Sequence, residues 1–395
     1  MKLCIILPPG YFPYPLNSGG SQAVFNMIDN LRYETEISLV FAYKNRERMY
    51  IEQLRKIWGN VKFFGFEKSL VDYKKYPMKI FDGIVNKLFK KSALKIDTID
   101  YAYLDFFCDI LEKNKFDIIQ TEFFPAMNYI YAIKQQAKTI FVQHEIRYIR
   151  DERLIKTSLN YYYYFLMKKN KQEEITAMNM YDVVVTLSDI DKKILQNDGV
   201  KVPIYDSPAM VKETAKYNEN YTFQNKIVFL AGGKHPPNSQ GLEWFLENIW
   251  INLKGQCPQI KFHIVGGSWD KAFFSKYRDI DFLGFVPNLE SVLQNAIMVI
   301  PLLAGSGMRI KILDGINFGC PIVTTSIGVE GLAFENEKDL IIEDDPQQFM
   351  KKLCDLINNE ERQKRLRINA KTTKDKLYSK EILIEKRLNV YRSVL

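Results

Sequence analysis

The sequence predicts an α/β protein made of two doubly wound, Rossmann-like parallel-sheet halves. Three observations carry this. Short buried apolar runs alternate with amphipathic stretches, the strand–helix order that a parallel sheet covered on both faces produces. The alternation begins twice, at Leu3–Leu7 and again at Ile227–Ala231, with a polar, strand-poor stretch holding Pro203 and Pro208 between them. A length of 395 residues also exceeds what one hydrophobic core organises.

In the first half, Leu3–Leu7 reads as a buried strand that stops at Pro8-Pro9-Gly10. The run is too short for a signal-peptide core and lacks a small-residue cleavage site, so a cytoplasmic protein is expected. A proline-rich loop with Gly19 and Gly20 leads into an amphipathic helix over Ser21–Leu31. Ile37–Tyr43, Asp117–Thr121 and Thr139–Gln143 read as further strands, and Arg153–Met180 as a long helical stretch before the strand Val183–Leu187. Ser188 is placed to N-cap a helix ending near Gly199. In the second half the strands are Ile227–Ala231, Lys261–Val265, Ile280–Leu283, Ile297–Pro301 and Ile322–Thr324. The helices are Gly241–Asn252, Leu289–Gln294 and Met308–Phe318, and the charged tail Gln347–Leu395 is helical. The expected boundaries are an amino-terminal half over 1–205, a linker over 206–225, a carboxyl-terminal half over 226–378 and a terminal helix over 379–395. Two doubly wound halves are expected to place a ligand at the carboxyl ends of their strands, in a cleft.

Composition removes several classes. Hydrophobic residues at 47% and charged residues at 26% exclude a disordered chain, and 20 Gly with 15 Pro exclude a collagen-like one. No apolar run approaches the ~18–20 residues that span a bilayer. Five cysteines without a C-x-x-C pair and three dispersed histidines make a disulfide framework or a metal site unexpected. The net charge of +8 is uneven: residues 44–95 hold 14 Lys/Arg against five Asp/Glu, interleaved with Trp58, Phe63, Phe64, Phe66, Tyr73, Tyr76, Phe81 and Phe89. Such a stretch suits peripheral contact with an anionic membrane, an anionic acceptor, or a solvated helical face. Nucleic acid is not expected, because no recognised binding module surrounds it. The run Tyr161–Phe165 spreads its rings around a helix axis, which favours packing between helices.

The most informative stretch is Pro301–Gly315. It leaves a buried strand, crosses Gly305-Ser306-Gly307 and enters a helix beside Arg309 and Lys311. Glycines let a ligand approach the backbone, and a helix N-terminus attracts an anion. Cations there oppose the helix dipole by roughly 0.3–1 kcal/mol each, which makes sense if a diphosphate sits against them. The plain alternative is an exposed turn with Lys311 paired to Asp314.

Gly305–Asp314, followed by Gly319–Leu332, resembles the signature of family-4, GT-B-fold glycosyltransferases (glycosyl transferases group 1). Asn238 with Glu243-Trp244-Phe245, then Ile264–Gly267 and Phe282–Pro287, resemble the flanking elements in the right order. The likeness is strong over 226–335 and weaker elsewhere. It implies a carboxyl-terminal domain that binds a nucleotide sugar, an amino-terminal domain that binds the acceptor, and a last helix that crosses back to the amino-terminal domain.

The resemblance assigns residues as follows. The family's paired glutamates fall on Ser306 and Asp314, so only the second position carries a carboxylate, which would bind the donor ribose. Arg309 and Lys311 would face the diphosphate, with Lys234 beside them. Phe285, Val286 and Pro287 would form the wall for the base, and Glu330 would line the sugar pocket. Gly19 and Gly20 would approach the donor phosphates. His144, at the end of a strand, would contact the transferred sugar, and Glu122 would point at the same place. The implied reaction retains configuration, with the leaving phosphate helping to take the acceptor proton and with no metal or other cofactor. The rivals are a catalytically inactive nucleotide-sugar-binding subunit and a GT-B-fold epimerase.

Overall fold

The computed structural model describes residues 1–16, 18–68, 100–155, 161–212, 217, 219–270 and 274–395. The chain divides into two units, one of Met1–Met210 with Leu383–Leu395 and one of Val211–Ile382. The division at 210/211 lies inside the segment expected to link the halves, and the last helix divides so that Leu383–Leu395 groups with the first unit.

The first unit is built on seven strands: β1 (Lys2–Ile6), β2 (Glu36–Tyr43), β3 (Lys62–Glu67), β4 (Ile118–Glu122), β5 (Lys138–Gln143), β6 (Val183–Thr186) and β7 (Ile204–Asp206). They lie in the order β3-β2-β1-β4-β5-β6-β7, and every pairing is parallel. The order reverses between β1 and β4, so the carboxyl ends of these two strands border a crevice of the kind where such sheets bind ligands. The central strands are buried because helices cover both faces, and β4 carries Gln120, Thr121 and Glu122 into that interior.

The second unit repeats the plan with six strands: β8 (Lys226–Leu230), β9 (Lys261–Val265), β10 (Ile280–Gly284), β11 (Ile297–Ile300), β12 (Ile322–Thr324) and β13 (Ile341–Ile342). Their order is β10-β9-β8-β11-β12-β13, again parallel, with the reversal between β8 and β11. Phe245, Phe262 and Phe349 are fully buried against this sheet.

Several expectations change. β3 falls within the basic stretch and was not anticipated. It is an edge strand, and its aromatics face inward: Phe63 meets Phe41 and Trp58, Trp58 is fully buried, and Phe64 and Phe66 pack on the core. These four rings therefore do not form a membrane-facing surface. Residues 69–95 of that stretch lie outside the described residues. β7 occupies part of the segment read as strand-poor, pairing Ile204 with Val184.

Within the expected helix Arg153–Met180 the described residues form the helices Arg147–Ile155 and Tyr161–Met178, and residues 156–160 lie outside the described residues. Of its tyrosine run, Tyr164 is exposed with Lys168 over its ring, not packed between helices. The helix expected from Gly241 starts at Pro236, because proline's missing N–H costs nothing in a first turn. The helix expected from Met308 is Ile310–Asn317. Asp344 accepts from the Ser326 N–H and Asp345 caps the helix Pro346–Ile357, so both acidic residues have structural partners. Cys257 and Cys354, distant in sequence, lie with their Sγ atoms 3.3 Å apart as free thiols.

Candidate active site

In the second unit the site is built where β11 ends. Gly305 and Gly307 take φ values of 120° and 80°, which other residues rarely adopt, and they turn the chain from Ile300 into the helix Ile310–Asn317. Ser306 between them is buried. Arg309 occupies the N-cap position and folds back over this loop, donating from Nη1 to the Ser306 carbonyl. A side chain on Gly305 would meet that guanidinium at 2.5 Å, so the glycine makes room for it.

Lys311 is the second residue of the helix and is half-buried. Its Nζ donates to Asn238 Oδ1 at 3.3 Å and stands 5.2 Å from the centre of the Phe229 ring. No ion pair joins it to Asp314, so the i,i+3 pair of the alternative reading is not formed. Burial pushes the Lys311 ammonium down to about 7, and Arg309 adds to the effect. Burial pushes the Asp314 carboxyl up to about 7, against the opposing pull of Lys311. A cation and a carboxylic acid are thus held half-desolvated on one turn of helix.

Asn238 is fixed from the other side. It is the third residue of the helix Pro236–Phe245 and donates from Nδ2 to the Gly232 carbonyl at 2.9 Å, while Ser239 Oγ donates to the Gly233 carbonyl. The turn after β8 and the helix after β11 therefore meet through one amide side chain, at the point where the strand order reverses. Lys234 sits on that turn and is exposed. Glu330 and Gly331 form the turn after the short helix Ser326–Val329. Gly331 has φ 86°, and a Cβ on it would lie 3.1 Å from Met308 Cα, so this turn packs directly on the Gly307-Met308 backbone. Phe285, Val286 and Pro287 lie on the loop after β10, with Phe285 56% exposed.

The first unit has a second cluster, at the carboxyl ends of β4 and β5. Glu122 ends β4 and is fully buried, and His144 directly follows β5. His144 Nε2 lies 2.5 Å from Glu122 Oε2. Phe123, held at the unusual φ of 68°, stacks on the His144 ring at 4.0 Å and also meets the Tyr11 ring, at 4.5 Å between centroids. Gly19 and Gly20 are not loop residues: they open the helix Gly19–Leu31, which Ser18 caps. A Cβ on Gly20 would lie 3.1 Å from the Phe123 ring, so that glycine is the surface on which Phe123 rests. Met27, Glu122, His144 and Arg387 line one narrow cavity here.

The sequence-predicted residues thus fall into groups. Gly305, Ser306, Gly307, Arg309, Lys311 and Asp314 form one constellation with Glu330 on the adjoining turn. Gly20, Glu122 and His144 form another through Phe123. Lys234 and Phe285–Pro287 stand on separate loops of the second unit. Asn238 was not singled out as a site residue; the available signal was an Asn at the third position of a Pro-started helix after a Gly-Gly turn. Among the described residues no group of three His, Cys, Asp or Glu side chains is placed to hold a metal, and no helix is long and apolar enough to cross a membrane.

Comparison with known proteins gives one family and a consistent set of folds. Residues 224–359 match the model of the family described as glycosyl transferases group 1. An uncharacterized 44.6 kDa protein in the cps region of Klebsiella pneumoniae is 22% identical over 377 residues, covering 91% of this chain and 92% of that protein. Among solved structures, a TarM variant of S. aureus aligns with a TM-score of 0.72 at 15% identity, covering 99% of this chain and 100% of the other. Sucrose-phosphate synthase from Thermosynechococcus elongatus aligns at 0.73 and 12% identity, covering 100% and 99%. HepE of Anabaena aligns at 0.67 and 11% identity over the whole of both chains. The glycine loop, Lys311 and Asp314 all lie in the segment that matches glycosyl transferases group 1, and the chain has the two-domain, Rossmann-like GT-B fold.

Proposed function

We propose that the protein is a retaining glycosyltransferase that moves a sugar from a UDP- or GDP-linked donor to a hydroxyl of a glycan or lipid-linked acceptor, in the cytoplasm and in surface polysaccharide synthesis. The observation that carries this reading is the Gly305–Gly307 loop delivering Lys311 against Asn238 at the reversal point of the second sheet, inside the family match. The relative from a cps region supports the pathway class. The TarM structure contains UDP, alpha-GlcNAc-glycerol and fondaparinux, and HepE was solved with UDP, which supports a nucleotide-sugar donor and a glycan-type acceptor.

In this reading Lys311, Arg309 and the helix N-terminus stabilise charge that grows on the diphosphate as the sugar bond breaks. Each such donor is worth roughly 2.7–4 kcal/mol in analogous sites. Asp314 takes the ribose hydroxyls, Glu330 lines the sugar pocket, and Phe285–Pro287 with Lys234 border the base and phosphates. His144 contacts the transferred sugar. The side-chain cations act where other transferases use a metal. The leaving phosphate takes the acceptor proton, so no covalent nucleophile is needed. The remaining basic residues of 44–95 are assigned to an anionic acceptor or membrane.

A thermal-shift screen of UDP- and GDP-sugars, followed by donor turnover with the purified chain, tests the proposal. One sugar donor should raise the melting temperature and be consumed. Stabilisation without turnover, with or without an added acceptor lipid extract, favours the inactive subunit; no stabilisation by any donor sinks the reading.

A further inference from the structure

Glu122 is a buried carboxylate whose two oxygens are held by different partners. His144 Nε2 bonds one of them, and Gln120 Nε2 bonds the other. Gln120 is itself fully buried, and its carbonyl accepts from the Tyr391 hydroxyl at 2.8 Å. Tyr391 lies in the helix Lys380–Val394, is fully buried, and has its phenol pushed up to about 12 by burial, so it stays a donor. The chain of bonds has one self-consistent direction. A carboxylate only accepts, so both the imidazole and the amide must donate to it, which turns the amide carbonyl toward Tyr391. Reversing the amide would set its carbonyl against the Glu122 carboxylate, acceptor against acceptor, and leave that oxygen without its donor. Arg387 of the same helix holds the neighbouring wall, donating from Nε to Ser207 Oγ at 2.9 Å and from Nη2 to the Ser207 carbonyl.

From this geometry we propose that Gln120 and Tyr391 are positioning residues that act through Glu122 to hold His144 in the tautomer protonated at Nε2, with Nδ1 unprotonated and able to accept a hydrogen bond from a substrate hydroxyl. Phe123 stacked on the ring fixes its plane, and the hydrogen-bond chain fixes its proton. The substrate end of this inference rests on the glycosyltransferase reading; the tautomer end does not. Neither Gln120 nor Tyr391 touches the imidazole, so their effect is transmitted only by the carboxylate. At metal sites, losing the outer hydrogen-bond partner of a ligating histidine costs about 10–100-fold, and an effect at the lower end of that range is expected here.

The test is long-range 1H–15N NMR on the full chain labelled at histidine. Only three histidines are present, and the His144 signals are assigned by their loss in His144→Asn. Wild type should show the Nε2–H form at neutral pH. Tyr391→Phe and Gln120→Met, both near-isosteric, should give a mixed or inverted tautomer population and lower kcat by about tenfold with donor KM unchanged. An Nδ1–H tautomer in wild type overturns the proposal without any variant. So does an unchanged His144 spectrum in whichever of the two variants keeps a cooperative melting transition. A shifting His144 signal in a protein that transfers no sugar upholds the hydrogen-bond chain and removes only the transferase reading.

Discussion

Lys311 and Asn238 meet at 3.3 Å although they stand 73 residues apart, and this contact joins the turn after β8 to the helix after β11. Among the described residues no carboxylate lies at ion-pair distance from the half-buried Lys311 ammonium. Replacing it by Met should therefore leave the melting temperature unchanged or slightly higher, while kcat falls by about 10²–10³ as for one lost oxyanion-type donor. Arg309→Ala should show the same split. If either variant unfolds the protein yet keeps normal turnover in its folded fraction, the diphosphate is bound elsewhere.

Burial, with Arg309 beside it, pushes the Lys311 ammonium down to about 7. A bound diphosphate restores its proton, so UDP binding at about pH 8 should take up protons. Calorimetry in two buffers of different ionisation enthalpy reads this directly. Lys311→Met should abolish the uptake; equal heats in both buffers for the wild type would contradict it.

The two shifted groups also give stability opposite pH slopes. For Lys311 the folded value lies below the unfolded one, so the unfolded chain binds more protons between about 7 and 10.4, and this residue's contribution grows as pH rises through that window. For Asp314 the folded value is raised, so the folded chain binds more protons between about 4 and 7, and its contribution falls as pH rises there. Asp314→Asn should flatten the acidic slope in denaturant titrations and Lys311→Met the alkaline one. If Asp314 binds the ribose as proposed, Asp314→Ala should raise donor KM more than it lowers kcat.

Gly20→Ala tests the contact with Phe123. Alanine gains about 1 kcal/mol of helix propensity. Its methyl would press at 3.1 Å on a ring that already meets Tyr11 and His144. Stability should change little, and acceptor turnover should fall because the His144 plane moves. Undiminished turnover would show that Phe123 has room to yield.

Turnover is expected to survive EDTA if, as proposed, Arg309 and Lys311 take the role of a cation. Full loss on chelation, restored by magnesium or manganese, would falsify that expectation.

The sheets were legible because strands buried on both faces read as unbroken apolar runs, as in Val183–Thr186 and Ile297–Ile300. β3 escaped because it is a half-exposed edge whose lysine-rich surroundings hide its inward phenylalanines, and β13 because it is two residues long. The glycine loop was legible because its chemistry is local: two glycines and two cations within the seven residues Gly305–Lys311, just after a strand. Asn238, Gln120 and Tyr391 were not, because their meaning lies in partners 73 and 271 residues away. Single residue types at such separations carry no periodic or spacing signal.

The membership of Leu383–Leu395 in the first unit imposes an order on biosynthesis. Gln120, Ser207 and Met27 are buried by side chains that do not exist until all of Val211–Ile382 has been made. At ribosomal speeds of 5–20 residues per second, that gap is roughly ten to forty seconds. Through that interval the nascent amino-terminal unit carries an uncovered polar floor beside Glu122. The second unit, continuous in sequence, has no such wait, so the later-made half should be the first to close its core.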